Sequence, residues 1–430
     1  MRTSSRLILV SVLPLLALPA RAQSSSAEDL SGRVRILEDE VRLLRREIEE
    51  LKSGKASTAA LTPQTLPAAS TASQTPSPTA PPGEGAPPGS PSPIPATTSG
   101  AKLFNPNIGM IGNFTGAIGK GAGSRFIAPA PSLSLQESEA SFQEVIDPYA
   151  RADFFLAFGE EGVEVEEGYV TFTSLPAGLL LKAGKMRATF GRLNAFHNHT
   201  LPWIDRPLVM YNLLGGSTED PDTGIRDAGV SISRIIPAGD VFLEATAEVF
   251  RGDSGTIFKA QRRSDVSTVG HLRSYVDLSD ATNLEVGASY VRGSNEAGSE
   301  FLTQLYGADV TLRWRPLSRA IYRSLALRTE LIWSRRDEPR QLQRAFGFYA
   351  SADYQFARRW TAGIRYDWSE RADEASLHDS GGSAVLTFRA SEFSQVRGQY
   401  RRSVFAGRPT TDELLFQVLF TLGAHGAHPF

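Results

Sequence analysis

The side chains with the most chemistry to offer fall in one segment without strong periodicity, residues 190–226. It carries His197, His199, Trp203, Asp205 and Arg206, then Gly215-Gly216 and the acids Glu219, Asp220 and Asp222. A His-x-His pair with a nearby carboxylate is a donor set for zinc, with Asp205 as third ligand. The same residues suit another task, the narrowing of a passage. Aromatic and proline side chains would then pack on a wall while Arg206 and the carboxylates face water. A plain surface loop is the third reading. Because a loop fixes no ligand spacing, constriction is the reading carried forward, with His197, His199, Asp205 and Arg206 as its candidates. Neither a metal nor any other cofactor is expected.

A second charged set is regularly placed. Arg151, Lys182, Arg273, Arg313, Arg328, Arg365, Arg389 and Arg397, with Glu244 and Glu248, alternate with apolar residues in segments of roughly ten. Asp153, Glu167, Glu285, Asp309, Glu330, Asp353, Asp367 and Arg401 share their phase. Acids predominate in the earlier segments and arginines in the later ones, an arrangement that would lay a transverse field across a water-filled interior. Ion pairs that merely satisfy a polar interior are the alternative. A hydrolase would need a nucleophile beside a histidine. The only histidine expected on a strand is His271, with no serine partner evident, so no enzyme is expected.

The elements that must hold these residues are strands. From Asn107 to Gly423 the chain reads as period-two alternation: Tyr306, Ala308, Val310, Leu312 and Trp314 against Gly307, Asp309, Thr311, Arg313 and Arg315, and likewise Trp360 to Trp368 and Leu414 to Leu422. Sixteen such segments are expected, from 107–118 to 413–423, with 190–226 the longest gap and 293–303 among the other long ones. Trp314, Trp333, Trp360 and Trp368 lie near strand ends on the apolar face, as an aromatic girdle requires. Beyond the first twenty residues no apolar run is long enough for a membrane helix. The fold class expected is therefore an all-β transmembrane barrel of antiparallel strands spanning 107–430, in contact with outer-membrane lipid.

What precedes the barrel is of three kinds. Residues 1–22, with Arg2 and Arg6, an apolar run and Ala20-Arg21-Ala22, read as a secretory signal peptide. Residues 23–52 hold a heptad seam, Leu30, Val34, Leu37, Val41, Leu44, Ile48 and Leu51, flanked by Arg33–Glu38, Glu40–Arg45 and Glu47–Lys52 pairs that favour a parallel homo-oligomer, dimer or trimer. Residues 53–106 form a Pro/Ala/Ser/Thr linker, eleven prolines falling before residue 101, that buries no core and acts as a tether. The absence of cysteine excludes disulfides and thiolate chemistry, and 45 basic against 47 acidic residues give no general attraction for nucleic acid.

A signal peptide, a short N-terminal coiled coil and a large even-stranded barrel together resemble the coiled-coil-bearing porins of bacterial outer membranes. The stretch Leu181-Lys-Ala-Gly-Lys-Met-Arg-Ala-Thr-Phe-Gly191 is similar to the lysine–x–glycine–lysine … phenylalanine–glycine strand end of the phosphate-selective porins O and P. The resemblance implies a water-filled channel for passive diffusion of small hydrophilic solutes, in the outer membrane with the N-terminal region in the periplasm, and Lys182 with the arginine-rich later segments adds an expected preference for anions. The tail after Gly423 departs from the family's usual aromatic strand end, although Phe430 is terminal. The competing reading is a barrel serving only as anchor or adhesin, tethered to peptidoglycan or a partner through the coiled coil.

Overall fold

The computed structural model describes residues 106–119, 132–159, 162–216 and 224–423. The signal segment, the heptad helix and the linker up to residue 105 lie outside the described residues, as do Glu219, Asp220, Asp222, His425 and His428.

Sixteen antiparallel strands close into one barrel. They are β1 (Asn107–Gly119), β2 (Leu133–Asp147), β3 (Ala150–Gly159), β4 (Gly162–Phe172), β5 (Leu179–Arg187), β6 (Arg226–Ala238), β7 (Val241–Phe250) and β8 (Ser267–Ser279). The second half comprises β9 (Thr282–Asn295), β10 (Gly298–Trp314), β11 (Ser324–Asp337), β12 (Leu342–Ala357), β13 (Trp360–Glu370), β14 (His378–Ser391), β15 (Ser394–Val404) and β16 (Thr411–Gly423). Each strand pairs with its sequence neighbour, and β1 closes on β16 with Phe114 opposite Val418. Closure leaves no unpaired edge, the condition for a sheet to stand in lipid.

Alternation decides which residues face out. Along β13, Ile364 and Tyr366 are exposed on the outer surface while Gly363, Arg365 and Asp367 are buried inside. The outer face carries two aromatic bands. Tyr290 and Tyr306 lie 5.0 Å apart and Trp333 and Phe346 5.2 Å apart towards one rim, with Trp368 beside them. Towards the other rim Trp360 packs on Phe388 at 4.7 Å. The strands between these bands are the length of chain that crosses the apolar layer.

One rim has mostly tight turns, such as 239–240, 280–281 and 358–359; the other carries the long segments 188–225 and 251–266. The expected loop at 293–303 does not exist. β9 and β10 continue to Asn295 and from Gly298, with Arg292 opposite Gln304 and Ser294 opposite Leu302. Beyond the aromatic band the outward side chains no longer meet lipid, so apolar alternation fades although the ladder continues. A second correction concerns histidine: His378 begins β14, so His271 is not alone on the strands.

Candidate functional site in the barrel lumen

The described parts of the segment between β5 and β6, residues 188–216 and 224–225, lie inside the barrel. The segment's neck is closed by Asn194, whose amide donates to Ala188 O (2.7 Å) and Ile225 O (3.0 Å) and whose Oδ1 accepts from Ile225 N at 2.7 Å. Gly191 turns the chain with φ +57°, and a Cβ there would stand 1.7 Å from Glu330 Oε1. That carboxylate accepts from the backbone N–H groups of Arg192 (3.2 Å) and Leu193 (3.3 Å), so the bare backbone at Gly191 is what lets the wall grip the loop.

The loop brings its own core. Phe190, Leu193, Leu201, Trp203 and the short helix α1 (Leu208–Leu213) pack against Phe250, Val269, Val291, Leu305, Ile332 and Val385. Pro207 immediately precedes the helix, where its fixed φ suits the turn and no N–H is lost from a ladder. The wall residues share one level, Val269 opposite Val291 and Val291 opposite Leu305. This inward apolar belt was not anticipated. Its signal was present, since apolar residues occur at lumen-phase positions of adjacent strands.

Arg206 does not face a passage. It is buried and staples the loop to itself, donating to Asn198 Oδ1 (2.8 Å), Leu193 O (3.1 Å) and, at short range, Phe196 O. Asp205 instead meets the wall. Arg365 Nη2 lies 3.1 Å from its Oδ1, Arg401 Nη1 3.0 Å from its Oδ2, and the Gln399 amide donates to Oδ1 at 2.5 Å. Beside it Arg365 stacks 4.8 Å from the Trp203 ring, and Arg397 donates to Trp203 O at 3.0 Å. Burial works against a charge on Asp205, but Arg365 and Arg401 outweigh it and hold the carboxyl below its ordinary range.

Arg192 reaches a second node, Glu285 on β9, at 2.5 Å, where Arg273 (2.8 Å) and Arg313 (3.0 Å) also converge. Burial, with Arg313, Arg328 and Arg273 adding to it against the pull of Glu285, brings Arg192 down to about 10. Thr189 donates N–H and Oγ1 to Glu248, both at 2.8 Å. Gly191 N donates to Ser289 Oγ (2.8 Å), which lies 2.8 Å from His271 Nδ1. The serine partner that the sequence did not reveal thus exists across the β8–β9 ladder, with His271 directly opposite Ser289. Both are buried and the hydroxyl is engaged by the loop.

On the opposite wall the loop presents His197. Its Nδ1 lies 2.9 Å from both Glu139 Oε2 and Glu166 Oε2, and its Nε2 2.7 Å from Glu167 Oε1. His199 Nδ1 stands 3.7 Å from Glu139 Oε2. Neighbouring residues Glu166 and Glu167 both face inward because the β3–β4 register slips there, Phe155 pairing with Glu167 and Leu156 with Val165, so that Glu166 is the extra residue of a bulge. Burial opposes protonation of His197, yet Glu166 and Glu139 prevail and hold the ring well above the ordinary histidine range.

The remaining candidates also face inward. Arg151 pairs with Asp153 (2.5 Å) and Arg328 with Asp353 (2.8 Å), and Arg389 donates to Thr361 Oγ1 at 3.1 Å. Arg397 donates to Thr387 and Gln417, Glu244 lies opposite Arg273, and Lys182 stands 5.1 Å over the Tyr169 ring. Arg151, Lys182, Arg313 and Arg389 retain partial exposure. The expected separation of acidic and basic walls holds only in part. Around Glu285 and Asp205 each carboxylate is ringed by arginines, so opposite charges are interleaved. Glu139, Glu166, Gln399 and Glu413 were missed as site residues. The Glu166-Glu167 doublet, which breaks strict alternation, was the one signal available for the first wall.

No family model matches the chain. A protein of Aquifex aeolicus (strain VF5), described as uncharacterized, is 29% identical over 340 residues, covering 69% of this chain and 70% of that protein. Among solved structures, the anion-selective porin from Comamonas acidovorans aligns with a TM-score of 0.51 at 11% identity, over 73% of this chain and 98% of the porin. Outer-membrane expressed OmpT of Vibrio cholerae aligns with a TM-score of 0.49 at 9% identity, over 74% and 97% of the two chains. The fold is that of an outer-membrane β-barrel.

Proposed function

We propose that the protein is an outer-membrane porin, a non-catalytic channel for passive diffusion of small hydrophilic solutes with a preference for anions. The observation that carries this reading is the charged, loop-narrowed lumen. A barrel serving only as anchor gains nothing from buried ions, because apolar side chains of similar volume fill an interior at equal or lower free energy. Charges kept along a tube are expected where ions or polar solutes pass. The partly exposed Arg151, Lys182, Arg313 and Arg389 support the anion preference. A hydrolytic role is disfavoured because Ser289 and His271 lie buried at the loop's root. The likeness of the Lys182–Gly191 strand end to phosphate-selective porins agrees with this assignment. The heptad segment favours a dimer or trimer, held in the periplasm and able to reach peptidoglycan.

Planar-bilayer recording on the purified protein tests it. Stable ohmic steps are expected, and deletion of residues 195–222 should enlarge them. A folded, heat-modifiable barrel that passes no current in either form would instead establish the anchor reading.

A further inference from the structure

The wall that receives His197 has the make-up of a chelate. Glu139, Glu166 and His197 are all buried and place one donor atom each within 4.8 Å of one another. Two of these separations are tighter, 2.9 Å from His197 Nδ1 to each carboxylate oxygen. Ligand atoms at zinc's usual bond lengths of about 2.0–2.2 Å stand roughly 3.3 Å apart in a tetrahedron, close to the 2.9 Å separations around Nδ1; His199, 3.7 Å from Glu139 Oε2, is not one of the three. The far side of the imidazole is also arranged as a metal ligand requires. Nε2 faces Glu167 Oε1 at 2.7 Å, so its N–H is given to a carboxylate while Nδ1 is aimed at the other two. Phe155 packs on the ring, 5.3 Å between centroids, and fixes its plane.

Charge points the same way. Glu139, Glu166 and Glu167 converge in a buried site, where Arg187 Nη2 (3.4 Å) and Arg226 Nη1 (3.5 Å) approach Glu166 Oε1 while Oε2 faces His197. Arg226 is shared with Glu164. Between the oxygens that face His197 Nδ1, a proton on that nitrogen is one source of positive charge and a divalent ion another.

We propose that Glu139, Glu166 and His197 form a binding site for a divalent transition cation of the zinc class, with Glu167 as the positioning residue behind His197. The ion takes the place of the Nδ1 proton, which leaves to solvent, and ties the lumen loop to strands β2 and β4. Asp205, the third ligand suggested by sequence spacing, belongs to the arginine wall and takes no part.

The test is direct titration of the full-length folded protein in detergent, stripped with chelator and dialysed against ZnCl2. About one equivalent of zinc should bind with low-micromolar or tighter affinity, and its X-ray absorption edge should show only nitrogen and oxygen neighbours near 2.0–2.2 Å. His197→Gln should abolish binding, and Glu167→Gln should weaken it about 10- to 100-fold with unchanged stoichiometry. Replacing His425 and His428 should leave it intact. Less than a tenth of an equivalent in the wild type overturns the proposal, as does full binding in a heat-modifiable His197→Gln barrel. Should that variant not fold, Glu139→Gln decides: weaker binding supports the site, and unaltered binding refutes it. The titration reads metal, not current, so it stands or falls separately from the channel assignment.

Discussion

The lumen loop is held at two ends by opposite chemistry. On the β13–β15 side a single carboxylate, Asp205, is inserted among fixed cations, Arg365 and Arg401. On the β2–β4 side a single imidazole, His197, is inserted among three carboxylates. The first anchor has no redundancy on the loop's side, since one residue serves two buried guanidiniums. The second is redundant on the wall's side, since losing one carboxylate leaves two. The loop is thus a charge-complementary insert, and its two ends should fail differently.

The largest effect is expected from Asp205→Ala. Removing the common partner of two buried arginines costs about 3–5 kcal/mol where the pair is fully desolvated. The loop should detach on that side, trypsin should gain access to Arg206, and single-channel conductance should approach that of the loop deletion. A protease-resistant Arg206 in this variant would show that the apolar core alone holds the loop.

Next in size is Gly191→Ala. A side chain at φ +57° costs about 1–2 kcal/mol, and its Cβ would also meet Glu330. Earlier thermal loss of the loop's protease protection is expected, with the barrel's own heat modifiability unchanged. Glu166→Gln should cost less than Asp205→Ala, about 1–2 kcal/mol, because Glu139 and Glu167 still face His197. Equal losses at the two anchors would erase the distinction drawn between them.

Acid sharpens the contrast. Asp205 faces Arg365 and Arg401 with their second partners Asp367 and Glu413 from the wall, and Arg206 and Tyr211 from the loop. Its folded pKa lies below the unfolded value, so its stabilisation is present above the unfolded value and is lost only as pH falls through the folded one. Loop protection on the Asp205 side should therefore persist through about pH 4 and disappear at lower pH. Loss already at pH 5 would mean the arginines do not control this group.

The smallest effect is electrical. Exchanging Lys182 and Arg389 for Ser removes partly exposed charge without touching either anchor. The zero-current potential in a salt gradient should move towards cations by a few millivolts, with conductance little altered. Arg365 is a poor choice for that experiment, since its loss would free Asp205 as well.

All sixteen strands could be read because lipid on one side and polar interior on the other impose alternation residue by residue. The same logic explains what was hidden. Between Asn295 and Gly298 the strands run beyond the apolar layer, and the pattern vanishes although pairing does not. Inside, Val269, Val291 and Leu305 occupy lumen-phase positions, but which of them meet Trp203 or Met210 depends on a loop path that no periodicity encodes. Asp205 was legible as a charged residue with work to do. Its partners Arg365 and Arg401, some 160 and 196 residues distant, were not.

Those separations govern the order in which the molecule can be assembled. Residues 188–225 are synthesised before every wall strand that receives Asp205 or the apolar side of Trp203. Until β8–β15 are in place, the loop's aromatic and aliphatic residues have no destination, and contacts of such long sequence separation are slow to form. Loop insertion must therefore follow closure of the sheet, or accompany its last strands. A nascent barrel passes through a stage with a wider bore and a greasy, unpacked segment at its mouth. That transient is the species most exposed to proteolysis, and maturation of this protein should be measurable as the late disappearance of a cleavage site inside an already heat-modifiable barrel.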